Sequence, residues 1–259
     1  MLNITPIDAF QDNYIWLVRN PNGQKALVVD PGEARPVLQA LENENLTLAA
    51  LFITHHHADH TGGIRQLLTQ YPTVKIFGPA TERIFGLTHP VKEGDNITVS
   101  GIDAQFQVFD VSGHTAGHVA YYGENALFCG DTLFSVGCGR LFEGTPAQMH
   151  ASLSKIAALP DETQVFCAHE YTLDNIAFAK WVEPNNSVLL QREAEVHALH
   201  DQDKPTVPSN LSIERLINPF LRFAEPSVIQ AAETFAGRSL TTEAEVFATI
   251  RHWKDSQFD

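Results

Sequence analysis

Leu48-Ala49-Ala50-Leu51-Phe52-Ile53-Thr54-His55-His56-His57-Ala58-Asp59-His60 is the stretch on which the reading of this chain turns. Its first part, Leu48–Thr54, is an apolar run of strand length, the pattern of a β-strand buried on both faces. Histidines and an aspartate follow at once. Residues two apart in an extended chain point the same way, so His55 and His57 can converge on one ion. Asp59 and His60 stand at the mouth of a predicted helix over Thr61–Tyr71 and can face a neighbouring position. Imidazole and carboxylate carried on a rigid strand end suit zinc, iron or manganese.

Short β-branched or aromatic segments bounded by turn residues flank this stretch and predict strands at Leu2–Ile7, Tyr14–Arg19, Ala26–Val29, Val74–Phe77, Ile97–Val99, Ala104–Asp110, Val119–Tyr122, Ala126–Cys129 and Gln164–Cys167. Ala34–Leu41 has helical spacing. Beyond about Tyr171 the character changes: Ile176–Val182, Ser187–His200, Ile213–Ile217, Ser227–Phe235 and Glu243–Trp253 all fit helices, and nothing there alternates like a strand. The expectation is a mixed α/β body over residues 1–170 and a smaller helical part over 171–259.

Composition supports a packed fold. Of 259 residues, 44% are hydrophobic and 19% charged, which excludes intrinsic disorder. No apolar run approaches the roughly 20 residues that a bilayer-spanning helix needs. The first residues carry no basic segment and no long apolar stretch, so no secretory signal is expected and a cytoplasmic protein is. Seventeen basic against 31 acidic residues give a formal charge of −14, a field that repels polyphosphate and disfavours nucleic acid as a partner. Cys129, Cys138 and Cys167 form no Cys-x-x-Cys pair and read as buried, reduced thiols.

Three further ligand candidates lie at predicted strand ends or glycine-flanked turns. His114 sits in Ser112-Gly113-His114-Thr115-Ala116-Gly117-His118, Asp131 in Cys129-Gly130-Asp131-Thr132, and His169 in Cys167-Ala168-His169-Glu170-Tyr171. With the first cluster they make five histidines and two aspartates, enough for two ions sharing one carboxylate. Asp30, before Pro31-Gly32, reads either as a turn residue or as a partner to a metal ligand. His56 and His118 are expected to orient or pack rather than ligate. A serine hydrolase is disfavoured, because no Gly-x-Ser-x-Gly elbow is present. Cys138 as a nucleophile competes poorly with the metal set.

His-x-His-x-Asp-His followed by a distant His, Asp and His resembles the metallo-β-lactamase superfamily. Within it, the chain is similar to the glyoxalase II (hydroxyacylglutathione hydrolase) family. That narrower likeness rests on Asp12-Asn13-Tyr14, the His55–His60 cluster, Gly130-Asp131-Thr132-Leu133-Phe134, Gly137-Cys138-Gly139-Arg140, Glu143-Gly144-Thr145, His169-Glu170-Tyr171-Thr172 and Arg251-His252-Trp253-Lys254-Asp255.

The resemblance implies an αββα sandwich with a helical C-terminal domain, and a monomer that acts on a small glutathione thioester without nucleic acid or membrane partners. It implies two divalent metal ions per chain, zinc with iron or manganese as alternatives: one held by His55, His57 and His114, the other by Asp59, His60 and His169, with Asp131 bridging. Hydroxide generated between the ions would attack the thioester carbonyl, Asp59 serving as ligand or also as proton acceptor. Arg140, Phe142, Tyr171, Arg251 and Lys254 are the implied substrate contacts; Phe142 stands where mammalian-type relatives have tyrosine and lacks that hydroxyl. Arg251 and Lys254, three apart on a predicted helix, share a face. Other chemistries of the superfamily (β-lactamase, nuclease, iron persulfide dioxygenase) and a non-enzymatic binding module are the competing readings.

Overall fold

A computed structural model describes residues 2–258; residues 1 and 259, the outer limits of the two expected segments, lie outside the described residues. By contacts the chain forms two compact units. The first comprises the described residues up to Asp110 together with Gly117–Gly130, and the second comprises Val111–Ala116 with the described residues from Asp131 onward.

The first unit begins with β1 (Asn3–Ala9), β2 (Asn13–Arg19), β3 (Lys25–Val29), α1 (Ala34–Asn43), β4 (Thr47–Phe52), α2 (Ala58–Thr61), α3 (Ile64–Gln70), β5 (Lys75–Pro79) and β6 (His89–Val91). These strands form one sheet in the order β1-β2-β3-β4-β5-β6. β1, β2 and β3 pair antiparallel, and β3 to β6 run parallel. β4 is flanked by parallel neighbours on both sides, which is why its sequence is apolar without alternation. α1 and α3 bury Val37, Leu41, Ile64 and Leu67 in one apolar cluster with Ile15, Leu17, Val28 and Leu51 of the strands and Ile53 just beyond β4.

β7 (Asn96–Thr98), β8 (Gln105–Asp110), β9 (Val119–Gly123) and β10 (Ala126–Gly130) add an antiparallel set. The two sheets meet through Phe52, which stacks on Tyr121 at 4.3 Å and meets the Phe106 ring edge-on at 5.2 Å. The buried Tyr121 hydroxyl donates to the Ile53 carbonyl at 2.8 Å, tying the end of β4 to the facing sheet. That anchor matters because the histidine cluster begins two residues later.

In the second unit β11 (Leu133–Phe134) and β12 (Gly137–Cys138) form a short hairpin. α4 (Pro146–Ala157) follows, then β13 (Gln164–Cys167), α5 (Thr172–Val182), α6 (Ser187–His200), β14 (Ser209–Asn210), α7 (Leu211–Ile217), α8 (Pro226–Ala236) and α9 (Glu243–Trp253), which closes with one π-helical turn over Lys254–Phe258. Val136, Ile176, Ala179, Leu189, Val196 and Ile217 form a buried cluster here.

The α/β class and the helical C-terminal part are as the sequence predicts. Several details differ. The helix expected over Thr61–Tyr71 begins at Ile64, as α3, and a separate turn, α2, ends at Thr61; between them the Gly63 amide donates to the Pro31 carbonyl at 2.9 Å rather than to an acceptor within α2. α4 was not anticipated, although Thr145 and Gln148 form a capping box with Pro146 in the first turn, a start signal that the sequence does carry. β14 breaks the expectation of no strand beyond Tyr171. It is two residues long and owes its conformation to antiparallel pairing with β13, a contact no local pattern encodes.

Candidate functional site

Four of the predicted ligands cluster in the first unit. Beyond β4 the chain stays extended through Thr54, whose amide and hydroxyl donate to Asp30 Oδ1 and Oδ2 at 2.8 and 2.7 Å. His55 is fully buried, with its Nε2 3.0 Å from His57 Nδ1. Its ring stacks on His118 at 4.5 Å and lies 4.1 Å from that of His60. α2 then presents Asp59 and His60 on successive residues, with His60 Nε2 3.3 Å from Asp59 Oδ2.

Two partners, one left open by the sequence and one not recognised in it, orient these groups. Asp30 Oδ2 lies 3.0 Å from His60 Nδ1, so the proton belongs on Nδ1 and Nε2 is the acceptor aimed toward Asp59. Asn13 Nδ2 donates to Asp59 Oδ2 at 3.1 Å. An imidazole acceptor and a carboxylate oxygen this close repel unless a proton or a cation lies between them. The donor set therefore fits a divalent metal. Gly32 allows the approach: a Cβ there would sit 1.8 Å from the Asp59 carbonyl oxygen.

The remaining three ligands cluster in the second unit. His114 Nδ1 is 2.9 Å from the Arg140 carbonyl, which again leaves Nε2 as the nitrogen available to a metal. Asp131 shows one oxygen to each of two histidines: Oδ2 is 3.4 Å from His114 Nε2, and Oδ1 is 3.5 Å from His169 Nε2. Gly139 closes this corner, since a Cβ there would lie 1.9 Å from the Asp131 carbonyl oxygen. His169 stacks flat on Tyr171 at 4.7 Å, and the Phe142 ring meets His114 edge-on at 5.2 Å.

A cavity of about 360 Å³ opens beside His114 and Asp131, and every implied substrate contact lines it: Arg140, Phe142, Tyr171, Arg251 and Lys254. Phe142 is 63% exposed and forms a rim, whereas Arg251 and Lys254 are only 2% and 7% exposed. A solvated helix face does not bury two cations; here they are held by the wall. Arg251 donates through Nη1 to the Cys138 carbonyl at 3.0 Å and through Nη2 to Asp255 at 2.7 Å. Lys254 Nζ donates to Asn175 Oδ1 at 2.8 Å, and Asn175 Nδ2 donates to the Ser135 carbonyl at 3.0 Å.

Asn175 is thus a pocket residue that sequence reasoning missed; its one signal is its place on α5, one turn beyond Tyr171. The Cys138 thiol lines the same wall, but burial pushes it up, against the lowering influence of Arg251, so it is a poor nucleophile. Arg140, Arg251 and Lys254 make the cavity locally positive in an acidic protein, with Asp131 and Asp174 as its lining carboxylates.

Family models divide the chain between two known segments. The metallo-beta-lactamase superfamily matches residues 9–169, and the hydroxyacylglutathione hydrolase C-terminus matches residues 170–257. A protein of Nitrosomonas europaea named hydroxyacylglutathione hydrolase is 52% identical over 256 residues, covering 99% of this chain and 97% of its own. This chain belongs to the hydroxyacylglutathione hydrolase family.

Another hydroxyacylglutathione hydrolase, from Aliivibrio fischeri, is 52% identical and covers 98% of this chain and 99% of its own. Among solved structures, ETHE1 from Myxococcus xanthus shares the fold with a TM-score of 0.66 at 23% identity, covering 97% of this chain and 90% of that one. TTHA1623, solved in a di-iron-bound form, has a TM-score of 0.53 at 28% identity and covers 64% of this chain and 91% of that one. The family segments meet at residues 169 and 170, whereas the contact division falls at Asp131.

Proposed function

We propose that this chain hydrolyses S-(2-hydroxyacyl)glutathione, chiefly S-D-lactoylglutathione to D-lactate and glutathione, with two divalent metal ions. One ion is assigned to His55, His57 and His114, the other to Asp59, His60 and His169, with Asp131 shared. Zinc is the preferred metal; the same donors accept iron or manganese. The observation that carries this reading is the Asp131 carboxylate, with a separate oxygen turned to each of two histidines whose other nitrogens or neighbours fix their orientation. The di-iron form of TTHA1623 and the relatives named hydroxyacylglutathione hydrolase support it.

When bound, the ions supply Lewis acidity that makes hydroxide available near neutral pH and polarises a carbonyl. The chain's own groups do the rest. Asp59, which accepts a hydrogen bond from Asn13, would serve as ligand or also take a proton from the attacking water. A thiol of reference pKa about 8.5 leaves as thiolate with little help, so no general acid is needed at sulfur. Arg251 and Lys254, immobilised before substrate arrives, take the anionic end of glutathione at little entropic cost. Arg140 and Tyr171 line its path toward Asp131. Phe142 contributes only apolar contact at the rim.

We place the segment 1–170 as the metal-binding part and 171–259 as the substrate-binding part of a cytoplasmic monomer. In support, among the described residues no helix is long and apolar enough to cross a membrane, and Cys129, Cys138 and Cys167 form no disulfide. The acidic surface turns nucleic acid away.

Release of free thiol from S-lactoylglutathione tests the function. Turnover should vanish on removal of metal by a chelator and return on adding zinc, with two ions per chain by elemental analysis. Full turnover by metal-free protein would sink the proposal.

A further inference from the structure

We propose that Glu214 is a positioning residue for the glutathione pocket: through the Val136 amide it holds the β11–β12 turn in a conformation that the turn's own residues resist, and so fixes the wall that carries Phe134, Cys138 and Arg140. The inference deepens the thioesterase reading and rests on it.

Val136 stands between the two strands of the hairpin with φ +59°, in the left-handed region. For a β-branched residue that conformation is an outlier, and such outliers persist only where the surroundings over-determine them. Two forces hold Val136 there. Its side chain is fully buried in the cluster with Ile176, Ala179 and Ile217, so it must point into the helical core. Its amide donates to Glu214 Oε2 at 2.8 Å. The same oxygen accepts from Asn218 Nδ2 at 2.9 Å, and that amide group also lies 3.2 and 3.0 Å from the carbonyls of Phe134 and Gly137. One carboxyl and one carboxamide from the end of α7 therefore grip the amide at the apex and the carbonyls on either side.

A fully buried acid is an expensive way to fill space. Among the described residues no cation pairs with Glu214. Burial raises its carboxyl, opposed by Ser209, the Val136 amide, Asn218 and Ser135, so it is biased toward the neutral acid. Glutamine keeps an oxygen that can accept from the Val136 amide and the Asn218 amide group, and alanine does not.

The turn matters because of what hangs from it. The Phe134 ring meets Tyr171 edge-on at 5.3 Å. Cys138 gives its carbonyl to Arg251, and Arg140 follows two residues later. Relaxation of the turn displaces the acceptor that orients Arg251 together with one wall of the cavity, which weakens glutathione recognition.

Steady-state kinetics with S-lactoylglutathione, on metal-replete protein of measured metal content, decide the matter. Glu214→Ala should raise KM about tenfold with kcat changed less than about threefold, whereas Glu214→Gln should keep KM within about twofold of wild type. The decisive variant pairs Glu214→Ala with Val136→Gly, since glycine adopts positive φ without strain. It should restore KM to within about threefold of wild type even though the lost valine lowers stability.

Should Glu214→Ala not fold, Glu214→Asp, whose carboxyl is withdrawn by one methylene, is read in the same way, alone and with Val136→Gly. An unchanged KM in the single variant, or a KM still raised in the double variant, overturns the positioning role. A wild-type protein that does not turn over the thioester overturns the functional reading itself, and this inference with it.

Discussion

His60 Nδ1 lies 3.0 Å from Asp30 Oδ2, with both side chains buried, and the same carboxylate takes the amide and the hydroxyl of Thr54. One aspartate thereby sets the ring orientation of His60, a proposed metal ligand, and the strand end from which the histidine cluster departs. Asp30 is itself at φ +52°, tolerable for an aspartate at the head of a Pro-Gly turn. Asp30→Ala should lower affinity for the ion assigned to Asp59 and His60 by roughly ten- to a hundredfold. Metal retained after dialysis against graded chelator concentrations measures this, and retention equal to wild type would show that Asp30 only shapes the turn.

Lys254 and Arg251 should separate binding from chemistry. Lys254→Ala should raise KM about tenfold with kcat nearly unchanged, because its proposed contact is with the anionic end of glutathione and not with the thioester. Arg251→Ala should do the same and also destabilise the fold by about 2 kcal/mol, since the Cys138 carbonyl loses a charged donor. Thermal melts beside the kinetics would expose an error: an unchanged KM in either variant removes it from the substrate site.

Gly32 carries a steric argument alone. The methyl group of Gly32→Ala would meet the Asp59 carbonyl carbon at 2.6 Å and its oxygen at 1.8 Å, which are backbone atoms that cannot turn aside. The first turn of α2 must shift, at a cost of about 3 kcal/mol or more. Loss of both stability and metal binding is expected by denaturant titration and elemental analysis. A variant as stable as wild type would mean that the turn at Asp30-Pro31-Gly32 is looser than these distances imply.

Acid sensitivity has an identifiable contributor in the helical region. Burial raises the Glu183 carboxyl, but hydrogen bonds from Arg222 and Ser227 outweigh it and hold it below the ordinary carboxylate range. The unfolded chain then binds the proton more readily than the folded one. Glu183 accordingly contributes stability at neutral pH that is lost as pH falls below the normal carboxylate range toward the lowered folded value. The stability gap between wild type and Glu183→Gln, read from denaturant midpoints, should be widest at pH 7 and shrink below about pH 4.5. A gap that stays constant across that range would contradict the assignment.

Much of this could be read from local patterns. An apolar strand followed by His-x-His-x-Asp-His states both a buried support and a ligand set, because strand periodicity fixes which side chains can converge. The elements missed are of two kinds. α4 carries legible signals, its capping box and the buried spacing Met149, Leu153 and Ile156. β6, β11, β12 and β14 are two or three residues long and exist only because a partner strand supplies their hydrogen bonds, which no window of sequence contains.

The chain's order of residues alone determined which groups are available for chemistry: seven metal-ligand candidates, three cysteines with no pairing motif, and a pair of cations one helical turn apart. Tertiary structure decided what those groups can do. Arg251 reaches the Cys138 carbonyl across 113 residues and Lys254 reaches Asn175 across 79, and burial turns what a surface helix would leave as two mobile charges into fixed ones. Asp131 faces two histidines with two different oxygens, and Asn13 and Asp30 orient Asp59 and His60 from distant parts of the chain. Orientation and desolvation are properties of neighbours brought together by folding, and only the folded chain assembles them.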